Sequence, residues 1–131
     1  MEDLALKTRL SILWLINAVG GLASTLLEFF EPGVIDQIRS GEKRGETIGP
    51  GYLIVLQIAF LVPLVMALLS QTLKNKANRL TNIIVGAVYV VLVIVVLLQY
   101  LEYQSVLAIS SIFGIVISTL IVWYAYKWHE N

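Results

Sequence analysis

Three stretches of this chain run for about twenty residues with almost no charge, and a fourth is interrupted only by small and weakly polar residues. Coiled as a helix at about 1.5 Å per residue, a run of that length matches the roughly 30 Å hydrocarbon core of a bilayer. The expected spans are 10–30, 51–71, 81–102 and 105–126. Within lipid each backbone polar group needs a protein partner, and long runs without period-two alternation suit helices, not barrel strands. Composition agrees, because 58% of the 131 residues are hydrophobic and only 14% are charged, against about 25% charged in a soluble domain. The expected fold class is all-α, a four-helix transmembrane bundle forming a single integral membrane domain over 1–131.

Lys7 and Arg9 ahead of SILWLINAVGGLAS have the look of a secretory signal. The apolar stretch continues to Phe30, longer than a signal core, so an uncleaved first span is expected. The absence of cysteine excludes disulfides, thiolate metal sites and thiol redox chemistry. A formal net charge of zero offers no broad basic face, so nucleic acid is not an expected partner.

Four spans put both termini and the 72–80 connection on one side, and the 31–50 and 103–104 connections on the other. Lys7, Arg9, Lys74, Lys76, Arg79 and Lys127 fall on the first side; Arg39, Lys43 and Arg44, accompanied by Glu31, Asp36, Glu42 and Glu46, fall on the second. The positive-inside bias then predicts a multi-pass protein of the cell membrane with both termini cytoplasmic. Lys74, Lys76 and Arg79 are expected to act as a topology determinant, with anionic lipid as their second role.

In the long loop EPGVIDQIRSGEKRGETIGPG, Pro32 suits a first helical turn and Val34, Ile35 and Ile38 share a face. A short interfacial helix is expected there, ending near Gly41, with the remainder as turn. Small residues at helical spacing, among them Asn82 with Gly86 and Ser110 with Gly114 and Ser118, predict close helix packing. Pro63 removes one backbone bond from the second span and predicts a kink.

Polar groups at membrane depth are the candidate functional residues, since each costs free energy in hydrocarbon unless it has a partner or a task. Counting along the helices predicts an inner polar layer of Asn17, Tyr89 and Ser118. A group nearer the other side contains Glu28, Gln57, Gln99 and Glu102, with Ser110 and Ser111. Glu28, Gln57, Gln99 and Glu102 are the candidate ligand-binding residues, while proximity to helix ends predicts interfacial solvation for Glu28 and Glu102.

No catalytic constellation is visible. His129 is the sole histidine and lies in the tail, the serines have no base beside them, and no phosphate-cradling glycine loop occurs. The expectation is a non-enzymatic chain without metal or cofactor.

The segments LLSQTLKNKANRLTNIIVG, 68–86, and TLIVWYAYKW, 119–128, together with RLSILWL near the start, resemble a family of small bacterial and archaeal four-helix membrane proteins of unknown function. The resemblance implies the fold and the membrane, and no activity. The expected function is binding of a lipid or hydrophobic small molecule in an outer-half pocket, or association with membrane partners. A small proton-coupled transporter using Glu28 and an accessory subunit of a larger membrane complex are the alternatives. Expected partners are membrane lipids, a hydrophobic ligand, and a second copy or another membrane protein.

Overall fold

The computed structural model describes residues 2–103 and 105–128; His129 lies outside the described residues. The chain forms α1 (Glu2–Glu28), α2 (Val34–Arg39), β1 (Glu42–Lys43), β2 (Glu46–Thr47), α3 (Pro50–Thr72), α4 (Asn75–Glu102) and α5 (Ala108–Tyr126). Among the described residues, α1, α3, α4 and α5 are long and apolar enough to cross a membrane. They form an all-α bundle in which α3 packs on α1, α1 on α5 and α5 on α4, while α3 and α4 meet only sparsely.

The bundle leaves many large apolar side chains exposed and buries polar ones beside an apolar core that includes Leu10, Trp14, Ile117 and Ile121. Leu53, Ile54, Val55, Ile58 and Leu61 on α3 are exposed, as are Val88, Val91 and Val95 on α4. Buried positions include Ser11, Ser70, Asn78, Asn82, Ser111 and Ser118 beside Ala18, Ala67, Ala108 and Ala125. This is the pattern expected where lipid solvates apolar faces and helices associate through small and hydrogen-bonding residues. It is compatible with a multi-pass membrane protein.

Gly86 shows the close approach directly: a Cβ there would meet Val122 Cγ2 of α5 at 2.8 Å. At Gly114 the same construction reaches Val93 Cγ1 at 3.2 Å. The α4–α5 pair is therefore set by two glycines that face one another's helix, and bulk at either pushes the pair apart.

Two helices begin earlier than expected. α1 starts at Glu2 instead of near 10, and α4 at Asn75 instead of near 81. The expected 72–80 connection thus shrinks to an extended link at Leu73 and Lys74, with ψ of 150° and 152°. Polar residues hid these turns from hydropathy because their roles are divided by helix face. Asn78 turns inward, where its side-chain amide donates to the Ser70 carbonyl at 2.8 Å, one of the carbonyls that α3 leaves open at its end. Lys74 and Lys76 point outward and are exposed. Asp3 holds the first turn of α1, its carboxylate accepting from the Trp128 indole and from the Asn75 amide, each at 2.8 Å. The first turn of α1, Trp128 after α5 and the start of α4 are thereby tied together at one end of the bundle, here called the terminal end.

The loop contains the short helix expected of it, α2, with its first residue, Val34, buried. The residues after it, expected as plain turn, form a two-stranded antiparallel hairpin with Lys43 opposite Glu46. Arg44 and Gly45 make its turn with φ of 51° and 80°. Positive φ at both central positions is what a type I′ two-residue hairpin turn requires, and glycine supplies only the second of them.

Candidate functional site

At the terminal half the interior is closed. Trp14 and Asn82 are fully buried, and the indole N–H donates to Asn82 Oδ1 at 2.7 Å. Asn82 Nδ2 donates in turn to Asn78 Oδ1 at 2.7 Å, and the Ser70 hydroxyl lies 3.3 Å from Asn82 Oδ1. Leu10, Leu13, Met66, Ile117 and Ile121 pack around this network. A fully partnered polar cluster of this kind fixes helix register, because each member loses its partner if one helix slides.

Higher in the bundle, the Asn17 amide donates to Ser118 Oγ at 3.1 Å, joining α1 to α5. Tyr89 takes a different route: its hydroxyl donates to the Ala59 carbonyl of α3 at 2.6 Å, and its ring meets Trp14 edge-on at 5.4 Å. Asn17 and Tyr89 both line a central cavity of about 140 Å³, bordered also by Ser24, Ser110 and Gly114.

The end opposite the termini, the hairpin end, is built differently. Glu28 closes α1 and is only 5% exposed, so burial replaces the solvation expected of it. It is covered by the hairpin, an element hydropathy could not reveal. The Lys43 ammonium pairs with Glu28 Oε2, the Tyr100 hydroxyl donates to Glu28 Oε1, and Arg44 Nη1 stands 3.7 Å away. Arg44 Nη2 also pairs with Glu31 at 2.7 Å, where the Ser105 hydroxyl donates at 3.0 Å. A charge this well buried is tolerated only with such compensation.

Arg44 holds the arrangement together. Its backbone N–H donates to Gln37 Oε1 at 3.0 Å, and its carbonyl accepts the Tyr103 hydroxyl at 2.7 Å. The guanidinium lies 4.7 Å from the Tyr100 ring centroid. A left-handed arginine costs about 1–2 kcal/mol, and contacts to α1, α2 and α4 together offset it.

Beside this clamp, between α3 and α4, lies a cleft of about 430 Å³. Its floor is apolar, formed by Leu56, Ala59 and Phe60 of α3 with Leu92 and Val96 of α4; its mouth is polar, with Lys43, Arg44, Glu46, Gln99 and Glu102. Ala59, Leu92, Val96 and Tyr100 also line the central cavity, so the two spaces share a wall.

Of the candidate ligand-binding residues, Glu28, Gln99 and Glu102 border the cleft; Glu28 is buried, while Gln99 and Glu102 are exposed at its mouth. Gln57 is exposed and outside the cleft lining, one helix face away from Leu56 and Phe60. Lys43, Arg44, Tyr52, Tyr100 and Tyr103 complete the site without having been expected as ligand-binding residues. The available signal was KRG in a hairpin-compatible loop rich in both charge signs, with Gly45 to accept a positive φ.

At the terminal end Lys74 and Lys76 are exposed, whereas Arg79 reaches the last turn of α5, donating to the Ala125 and Tyr126 carbonyls at 3.2 Å each. A guanidinium there satisfies open carbonyls and complements the helix dipole. Among the described residues, no group of three or more histidine, aspartate or glutamate side chains converges as a metal site. No curated protein and no solved structure matches the chain. A family model matches residues 3–131, nearly the whole chain, which therefore belongs to a family of unknown function (DUF6326).

Proposed function

We propose that this chain is a non-enzymatic membrane protein that binds an amphipathic small molecule in the cleft between α3 and α4. The observation that carries this reading is the division of the cleft into an apolar floor within the spans and a charged mouth under the hairpin. An amphiphile matches such a surface in one orientation, tail along Leu56, Phe60 and Leu92, head beside Glu46 and Glu102. The exposed flanks Val55 and Leu92 give the tail an approach from the side, where lipid would stand.

With six basic residues at the terminal end, the positive-inside bias assigns that end to the cytoplasm and the cleft to the outer leaflet. Lys74 and Lys76, exposed there, then meet the anionic inner surface, each adding roughly 1 kcal/mol of attraction. The packed Trp14–Asn82 layer blocks continuation of the cleft toward the terminal end, which favours binding over passage.

The test is native mass spectrometry from mild detergent combined with photo-crosslinking from Val55, Leu92 and, as a lipid-facing control, Val19. The expected result is a retained amphiphile adduct crosslinked at Val55 and Leu92 in excess over Val19. A bundle without adduct and with even labelling overturns the reading. Co-release of a second protein chain assigns the accessory role instead, and proteoliposome uptake abolished by Glu28→Gln assigns transport.

A further inference from the structure

Resting on the amphiphile reading, we infer that the molecule held between α3 and α4 is a single-chain organic cation, an ammonium head on one apolar tail. Charge pairing at the mouth carries the step. Two cations, Lys43 and Arg44, are set among four carboxylates, and both are committed inward: Lys43 to Glu28, Arg44 to Glu28 and Glu31. Lys43 stands opposite Glu46 in the hairpin register, yet its ammonium goes to Glu28 instead. Glu46 and Glu102 have no ion-pair partner among the described residues, and both border the cleft.

An anionic head would meet those two carboxylates with no cation left to receive it. An ammonium head would neutralise them, and the half-buried ring of Tyr52 at the same mouth adds an aromatic face of the kind that attracts organic cations. The size of the site limits the tail. At about 430 Å³ the cleft lies toward the small end of ligand pockets, and its apolar floor is formed by one pair of helices, so one chain fits where two would not.

The experiment uses the full chain in a neutral maltoside detergent and three probes with the same diazirine-bearing twelve-carbon tail: trimethylammonium, sulfate and phosphocholine heads. Labelled peptides are located by mass. The expected result is saturable labelling of 52–60 and 92–103 by the ammonium probe, with the sulfate probe roughly tenfold weaker. Glu46→Gln with Glu102→Gln should weaken ammonium binding by about tenfold, roughly threefold for each exposed carboxylate, and less at raised salt. Both residues are exposed, so the variant folds, as a thermal melt would verify.

Equal labelling by the sulfate probe overturns the charge assignment while leaving the amphiphile reading in place. Equal binding of the phosphocholine probe also overturns it, giving the cleft to zwitterionic lipid. Labelling by none of the three at these segments overturns both.

Discussion

The Tyr89 hydroxyl donates a 2.6 Å hydrogen bond to the carbonyl of Ala59, the acceptor that Pro63 leaves without a partner in its own helix. Proline has no N–H to return four residues back, and in hydrocarbon no water takes its place. A residue on α4 thus completes the backbone of α3, across a helix pair that otherwise meets only sparsely. Tyr89→Phe should therefore destabilise the bundle by about 1 kcal/mol in reversible unfolding from mixed micelles. The diagnostic measurement is a double-mutant cycle with Pro63→Ala, which restores the helical donor. The cost of Tyr89→Phe should then largely vanish; an unchanged cost means that the hydroxyl matters for another reason.

Gly86 and Gly20 are both helical glycines, and geometry separates them. A methyl at Gly86 collides with Val122, while a Cβ at Gly20 meets nothing within 4 Å. Gly86→Ala should cost about 1–3 kcal/mol through displacement of α5. Gly20→Ala should be neutral or slightly stabilising, since alanine restricts the unfolded chain more. Parallel melts of the two variants check the contrast, and equal losses would contradict the helix pairing.

At the hairpin end two of the acids that border the cleft, Glu28 and Glu102, should behave unequally. Glu28→Ala leaves Lys43 and Arg44 without their shared carboxylate, a loss of about 3 kcal/mol for a buried pair. Glu102→Ala removes an exposed carboxylate with no ion-pair partner among the described residues and should stay within about 0.5 kcal/mol. Hydrogen exchange at 42–47 gives the local readout. Faster exchange is expected with Glu28→Ala and not with Glu102→Ala.

The spans and their number were legible because the bilayer requirement acts on length and hydropathy, both properties of the string itself. Even α2 was legible as a short helix in the loop, although it starts at Val34, after Pro32, and buries Val34 while Ile35 stays exposed. What escaped was whatever depends on a partner far along the chain. The first turns of α1 and α4 look like solvent-exposed ends until Asp3 is seen to bond both Trp128 and Asn75. Glu28 looks like an interfacial carboxylate until the hairpin covers it with Lys43 and Arg44. Gln57 and Gln99 are equivalent by depth, and only the placement of the α3–α4 seam puts one at the cleft and the other outside it. Lys43, opposite Glu46 across the hairpin, invites a cross-strand pair that the buried Glu28 takes instead.

The Asn82 side chain supplies the most direct optical test of the closed half. It accepts from the Trp14 indole and donates to Asn78, and all three side chains are fully buried. Asn82→Leu is close in size but strands both the indole donor and the Asn78 acceptor. Each stranded group costs about 1–3 kcal/mol when no water replaces the partner. Asn82→Asp keeps an acceptor for Trp14 and gives up the amide donor to Asn78, at the expense of a buried charge. Trp14 is the one buried indole facing this network, so Trp123→Phe with Trp128→Phe isolates its emission. In that background Asn82→Leu should lower stability and shift the Trp14 band to shorter wavelength, because the indole loses its hydrogen-bond partner. A longer-wavelength shift would mean that water enters the layer, and the closure that separates the cleft from the terminal end would then depend on Asn82 alone.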